Sequence, residues 1–258
     1  MTRIAFILVP TLVGSLLFAA PLPAQQLSIA ARDAFNMGVR QFQAAQFRSA
    51  AESFGKAVER APNLLNARVY LAASWVQAYV PDDASPENAE VAKSALAACL
   101  EVLKRDPSNV AATDSIATLH FQMRDFIRSR EWNLKVIALD PNSKTSLYML
   151  GAINWSDFAS TLKEARTTLN MSSDDPGPLP DEELRTELRA QSLKSIEEGI
   201  EFERAALNLD VGYARAMLTI ADLLRARADL GDEAAYKADI AEANDWVTRA
   251  AKAAGTAK

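Results

Sequence analysis

The chain of 258 residues holds one histidine, His120, and one cysteine, Cys99. Counting alone therefore all but removes a thiolate or imidazole metal site and a Cys/His catalytic pair. Cys99 sits in Ala95-Leu-Ala-Ala-Cys-Leu, the apolar face of a helix with no basic neighbour to stabilise a thiolate, and reads as a buried structural thiol. The carboxylates Asp174, Asp175, Asp181, Glu182 and Glu183 are dense enough to suggest a divalent cation. Their spacing matches no calcium loop and they surround three prolines, which points to a solvated, mobile insertion. The spacing thus supplies no metal site and no cofactor.

The composition places these residues in helices. Hydrophobic residues make up 49% of the chain and charged residues 24%, which excludes wholesale disorder and a multi-span membrane protein. Glycine is scarce, with 9 residues, alanine dominates stretches such as Ala89 to Leu100, and alternating β-branched runs are nearly absent. This is an all-α composition. The net charge is −5 and no Lys/Arg cluster occurs, so nucleic acid and anionic lipid surfaces are poor partners.

Met1-Thr-Arg-Ile opens the chain with a positive region, Ile4 to Ala20 is apolar, and Leu22-Pro23-Ala24 offers a small residue before polar Gln25-Gln26. That is the layout of a secretory signal peptide over residues 1–24, cleaved after Ala24. A retained membrane anchor is the competing reading, but Pro10 interrupts a stretch shorter than the ~20 residues a span needs. The mature chain, having lost Arg3, carries −6, and is expected to be exported, periplasmic or secreted, with no stable membrane insertion.

Beyond the leader the chain repeats. Ala61-Pro-Asn, Asp106-Pro-Ser-Asn and Asp140-Pro-Asn-Ser each close one amphipathic stretch and precede another, and Pro107 and Pro141 are 34 residues apart. Proline ends a helix and the following Asn or Ser can cap the next. Before Pro62, Gly38 and Phe42 lie on one helix, and Phe47, Ala50, Phe54 and Ala57 recur at helical spacing on the next. Small residues let paired helices approach closely while large ones fill the space beside them. This arrangement resembles the tetratricopeptide-repeat (TPR) family. The third unit, at about 110–141, keeps the spacing with Ile116-Ala117, Phe126, Ser129, Val136 and Pro141. The second, 65–107, carries an 11-residue excess readable as Val80-Pro-Asp-Asp-Ala-Ser-Pro-Glu, with Ser85 as cap and Pro86 at the first helical position. The fourth, 144–211, starts at Leu147-Tyr-Met-Leu-Gly151-Ala and resumes as a helix over Gln191 to Leu209, with an insertion at 160–189. A fifth pair, 213–258, ends in a capping helix that carries Tyr236, Ile240, Trp246 and Val247. The export leader, the insertion and the Arg227-Ala-Asp-Leu-Gly segment also look like a group of secreted bacterial TPR proteins without assigned activity.

The resemblance implies a right-handed superhelical α-solenoid of about five hairpins, with helix A of each unit lining the concave face. Projected on that face are Phe35, Val39 and Phe42; Val69, Ala73 and Val76; Asp114, Thr118 and Phe121; Tyr148, Ala152 and Trp155; and Leu218, Asp222 and Arg225. TPR modules that clamp a peptide carboxylate use Lys and Asn at places where this chain has Phe35, Val39, Val69 and Ala73, so a carboxylate clamp is not expected. An apolar face with two acids suits an amphipathic helix or an extended hydrophobic segment of a protein or peptide partner. It would equally accept a second copy of the chain. His120 falls where the family places a packing aromatic and reads as a buried, hydrogen-bonded side chain. The sequence thus points to a non-catalytic protein–protein interaction scaffold in the cell envelope. The alternative is a carboxylate-based enzyme, or a small-molecule or glycan-binding protein, that uses Asp114 and Asp222 across the concavity.

Overall fold

A computed structural model describes residues 27–172 and 175–256; the leader assigned to residues 1–24 lies outside them. Ten α-helices and no strand occur among the described residues: α1 (Ile29–Gln43), α2 (Phe47–Arg60), α3 (Leu65–Ala78), α4 (Pro86–Leu103), α5 (Val110–Gln122), α6 (Phe126–Leu139), α7 (Lys144–Thr168), α8 (Glu182–Leu209), α9 (Ala214–Asp229) and α10 (Glu233–Thr256). The fold is all-α, as composition requires. The chain divides into two compact units, Met1–Asp125 and Phe126–Lys258. In the first, α1 pairs with α2 and α3 with α4, and α5 packs on both α3 and α4. In the second, α7 pairs with α8 and α9 with α10, with α6 and α9 against α7. The two helices of the third sequence repeat belong to different units.

The connections explain where the helices stop. Asn109 and Ser143 accept the backbone N–H groups of Ala112 and Ser146, capping α5 and α7, and Ser85 caps α4 just ahead of Pro86. Asn63, which follows Pro62, does not play that part: the N-cap of α3 is Leu64, with no side-chain hydrogen bond. The residue before the proline matters as much as the proline. Asp140 accepts from the backbone N–H of Asn142 at 3.0 Å and Asp106 accepts from the side chains of Ser108 and Asn109. Asp210 receives the N–H of Gly212 at 3.0 Å although no proline follows it, so the turn survives at Val211 on the aspartate alone. Within the hairpins, Ala45 and Arg124 adopt positive φ (56° and 58°) at the ends of α1 and α5. The N–H groups of Gln46 and Asp125 there return to the carbonyls of Gln41 and His120, the Schellman closure usually built on glycine.

The insertion in the second repeat is organised by Asn88, which is 1% exposed. Its side chain accepts from the N–H of Val80 and donates to the carbonyls of Val80 and Asp83. The insertion expected at 160–189 differs from the reading: α7 continues to Thr168 and α8 starts at Glu182, well before Gln191. Phe158, Leu162, Ala165 and Leu188 extend the buried apolar stripe of both helices, and this packing narrows the break to the segment that holds the proline run. Even the non-helical middle is anchored, since Leu179 is fully buried and its N–H donates to the carbonyl of Asp229.

Small residues set how close paired helices come. A Cβ at Gly38 would lie 2.7 to 2.9 Å from three ring atoms of the fully buried Phe54. Gly38→Ala is therefore expected to destabilise the chain by about 1–3 kcal/mol. Ala45→Gly, which relieves a left-handed alanine, should stabilise it by about 1 kcal/mol. Both are read from chemical denaturation of the full chain, and equal signs for the two variants would contradict this account.

Candidate functional site

The helix A faces are built first from aromatic packing. In the first unit Phe35 meets the Phe54 ring edge-on at 5.4 Å and Tyr70 at 5.6 Å, and Phe42 meets Phe47 at 5.3 Å and Tyr70 at 6.1 Å. Tyr70 also stacks on Phe54 at 5.2 Å. Phe35 and Phe42 are thus half-buried members of a cluster that ties α1 and α2 to α3, with only their outer parts open to a partner. Tyr70, beside Val69 on the same helix, was absent from the sequence-derived face although it joins the cluster. Val39 and Val69 are half-buried. Val76 is a correction: at 1% exposure it belongs to the core, because α3 is enclosed by α5 as well as by α4.

Asp114 and Phe121 lie half-buried on α5. Burial pushes the Asp114 carboxyl up to about 6. His120 is 5% exposed and its Nδ1 lies 3.1 Å from Asp125 Oδ2, the hydrogen-bonded setting expected of it. Cys99 is also buried, and burial pushes its thiol up to about 12, which favours the protonated thiol at neutral pH. The insertion of the second repeat adds a feature the sequence did not disclose, an open cleft of about 500 Å³ between α4 and the end of α5, lined by Tyr79, Ala84, Ala92, Leu96 and Met123. Asp83 and Lys93 also line it.

In the second unit, Tyr148 packs edge-on against Tyr213 at 5.5 Å, and burial raises the hydroxyls of both. Trp155 is half-buried against the main core of that unit. Leu218 is 47% exposed. Asp222 pairs with Arg225 at 3.2 Å; burial raises its carboxyl and Arg225 opposes the rise. Asp222 thus has a cation of its own, and Asp114 belongs to the other unit.

Two polar features of this unit escaped the sequence reading. Arg166 donates to Asp229 at 2.6 Å, with both side chains close to 10% exposed, and also to the carbonyls of Ser172 and Asp175. One guanidinium thereby fastens the segment after α7 to the end of α9. The acids of that segment serve local structure: Asp175 accepts the N–H of Ser172, which lowers its carboxyl, and Asp181 caps α8 through Leu184. Asp174 lies outside the described residues. The second feature is Glu203, fully buried with neither carboxyl oxygen hydrogen-bonded. Arg166→Met is expected to lower stability by about 3–5 kcal/mol, because it strands the Asp229 carboxylate, and to expose residues 169–181 to limited proteolysis. Adding Asp229→Leu should recover most of the loss in stability; no recovery would place the effect elsewhere.

No protein-family model matches the chain, and no curated protein matches it in sequence. Solved structures do match. A MamA double mutant superposes with a TM-score of 0.58 at 13% identity, over 90% of this chain and 98% of that one. MamA 41-end from Desulfovibrio magneticus RS-1 gives 0.57 at 13% identity, over 89% and 98%. YrrB, described as a TPR protein with an unusual peptide-binding site, gives 0.50 at 13% identity, over 86% of each chain. With its paired helices, proline-marked turns and small residues at the helix contacts, the chain has the helical-repeat fold of the TPR solenoids.

Proposed function

We propose that the protein is a non-catalytic interaction scaffold of the cell envelope that takes up a helix or extended segment of a partner protein on its helix A faces. The observation that carries this reading is the character of those faces: Phe35, Val39, Phe42, Val69 and Phe121 in one unit, and Tyr148, Trp155 and Leu218 in the other, are apolar and incompletely covered. Side chains of this kind bind by removing apolar area from water. Asp114 favours a segment that carries a basic residue among its apolar ones. A structural neighbour, YrrB, is described as having a peptide-binding site, which supports the class of partner and not its identity. Export rests on the leader; among the described residues no helix is long and apolar enough to cross a membrane. Carboxylate catalysis or glycan binding would rest on Asp114 alone, since Asp222 is paired with Arg225.

In vivo crosslinking and mass spectrometry of the full-length protein test the reading. Leu218→Arg, on the proposed face, is expected to abolish capture of envelope proteins. Ile127→Arg on α6, at a site 78% exposed and outside the proposed face, should leave capture intact. The reverse pattern would move the binding surface, and capture of only a second copy of the chain would make the face a self-association site. The mass of the mature protein in the same samples checks cleavage after Ala24.

A further inference from the structure

The contact between α7 and α8 includes two reciprocal glycine–polar pairs. A Cβ on Gly151 of α7 would collide with the carboxyl group of Glu203 on α8. Four residues earlier on α8, a Cβ on Gly199 would stand 3.0 Å from the Cβ of Asn154, which is three residues beyond Gly151 on α7. The two pairs follow the register of antiparallel helices and each polar side chain occupies the space a glycine leaves. Asn154 is fully buried and donates to the carbonyl of Ser195 at 2.7 Å, while its own oxygen is unpaired. Glu203 is fully buried with both oxygens unpaired.

The groups around Glu203 do not neutralise it. From α7 it faces Tyr148; from the head of α9 it faces Tyr213, and Arg215 follows in that helix. Burial holds both tyrosines in their protonated form, and Glu203 adds to that effect while Arg215 opposes it. Toward α10 the polar contact of α8 is the exposed Arg204–Glu242 pair, and Asp210 is engaged with Lys144. A carboxylate buried without a counter-ion or donor is far more costly than a buried carboxylic acid.

We propose that Glu203 is an acid latch: with its proton in place the carboxyl group seats against Gly151 and closes the α7–α8 hairpin, and loss of the proton loosens that hairpin. The sign follows from linkage. A carboxyl group whose proton is held more tightly in the closed state favours closure at low pH. The open state gains as pH rises from the ordinary carboxyl value, about 4.3, to the raised value in the closed state. Because α7 carries Tyr148 and Trp155 one turn to either side of Gly151, the latch would also govern how firmly that face is presented. The proposal concerns the free protein and stands or falls without the partner.

The test uses the full chain and Glu203→Gln. At pH 7 the wild type is expected to show the infrared carbonyl band of a protonated carboxylic acid that E203Q lacks; no such difference would overturn the proposal. Amide hydrogen exchange across α7 and α8, corrected for the intrinsic pH dependence of exchange, should then show opening that rises with pH by up to tenfold per unit in the wild type. In E203Q the rise should vanish, and an equal rise in both proteins would overturn the latch. If E203Q does not fold, the wild type decides alone: opening must follow the loss of the acid band with pH, and opening that stays flat while the band disappears refutes the coupling.

Discussion

The distance between paired helices, set where one of them has no side chain, is the constraint on which the rest of this structure depends. Gly38 lets the Phe54 ring lie against the backbone of α1, and Gly151 and Gly199 let Glu203 and Asn154 lie against α7 and α8. Interiors pack as densely as organic crystals, so such contacts admit no sliding of one helix along the other. The aromatic residues one turn away inherit their positions from them. Phe35 and Phe42 flank Gly38 on α1 as Tyr148 and Trp155 flank Gly151 on α7, which places the outward aromatics of two different units by the same device.

Much of this was legible in the sequence because it depends on local signals. Prolines 62, 107 and 141 marked the turns, Gly38 and Ala57 marked the close face of the first hairpin, and the pair ending in α10 appeared within a few residues of its observed bounds. What was not legible depends on contacts between elements distant in sequence. Val76 looks like an open-face residue until α5 encloses α3, and Tyr70 looks unremarkable until α1 and α2 bring three phenylalanines to it. Glu203 was invisible for a different reason. A sequence pattern assigns an acid to solvent by default, and only the empty space at Gly151, 52 positions earlier, shows that it points inward.

The insertion shows how packing narrows a break that punctuation makes. Prolines 176, 178 and 180 do break the helix, but Leu162, Ala165 and Leu188 extend both neighbouring helices toward them and Leu179 is drawn into the core. The closing contacts are ionic, Arg166 with Asp229 and Arg227 with both oxygens of Asp239 at 2.7 and 2.9 Å. Such pairs lose much of their attraction to desolvation, so their main contribution is to exclude other arrangements of the same apolar surfaces. A long hairpin with apolar faces on α7 and α8 needs that exclusion more than it needs further burial.

Burial holds the proton more tightly on four carboxyl groups, Asp114, Asp222, Asp229 and Glu203, and of these Asp114 and Glu203 would respond to pH in opposite directions. Asp114 faces outward on α5, and a partner that brings a cation to it favours the ionised form, so this contact weakens as pH falls below about 6. Glu203 faces inward on α8, and its closed hairpin weakens as pH rises. The difference comes from their settings within their own units: Glu203 is fully buried against a glycine, and Asp114 is half-buried on a helix face.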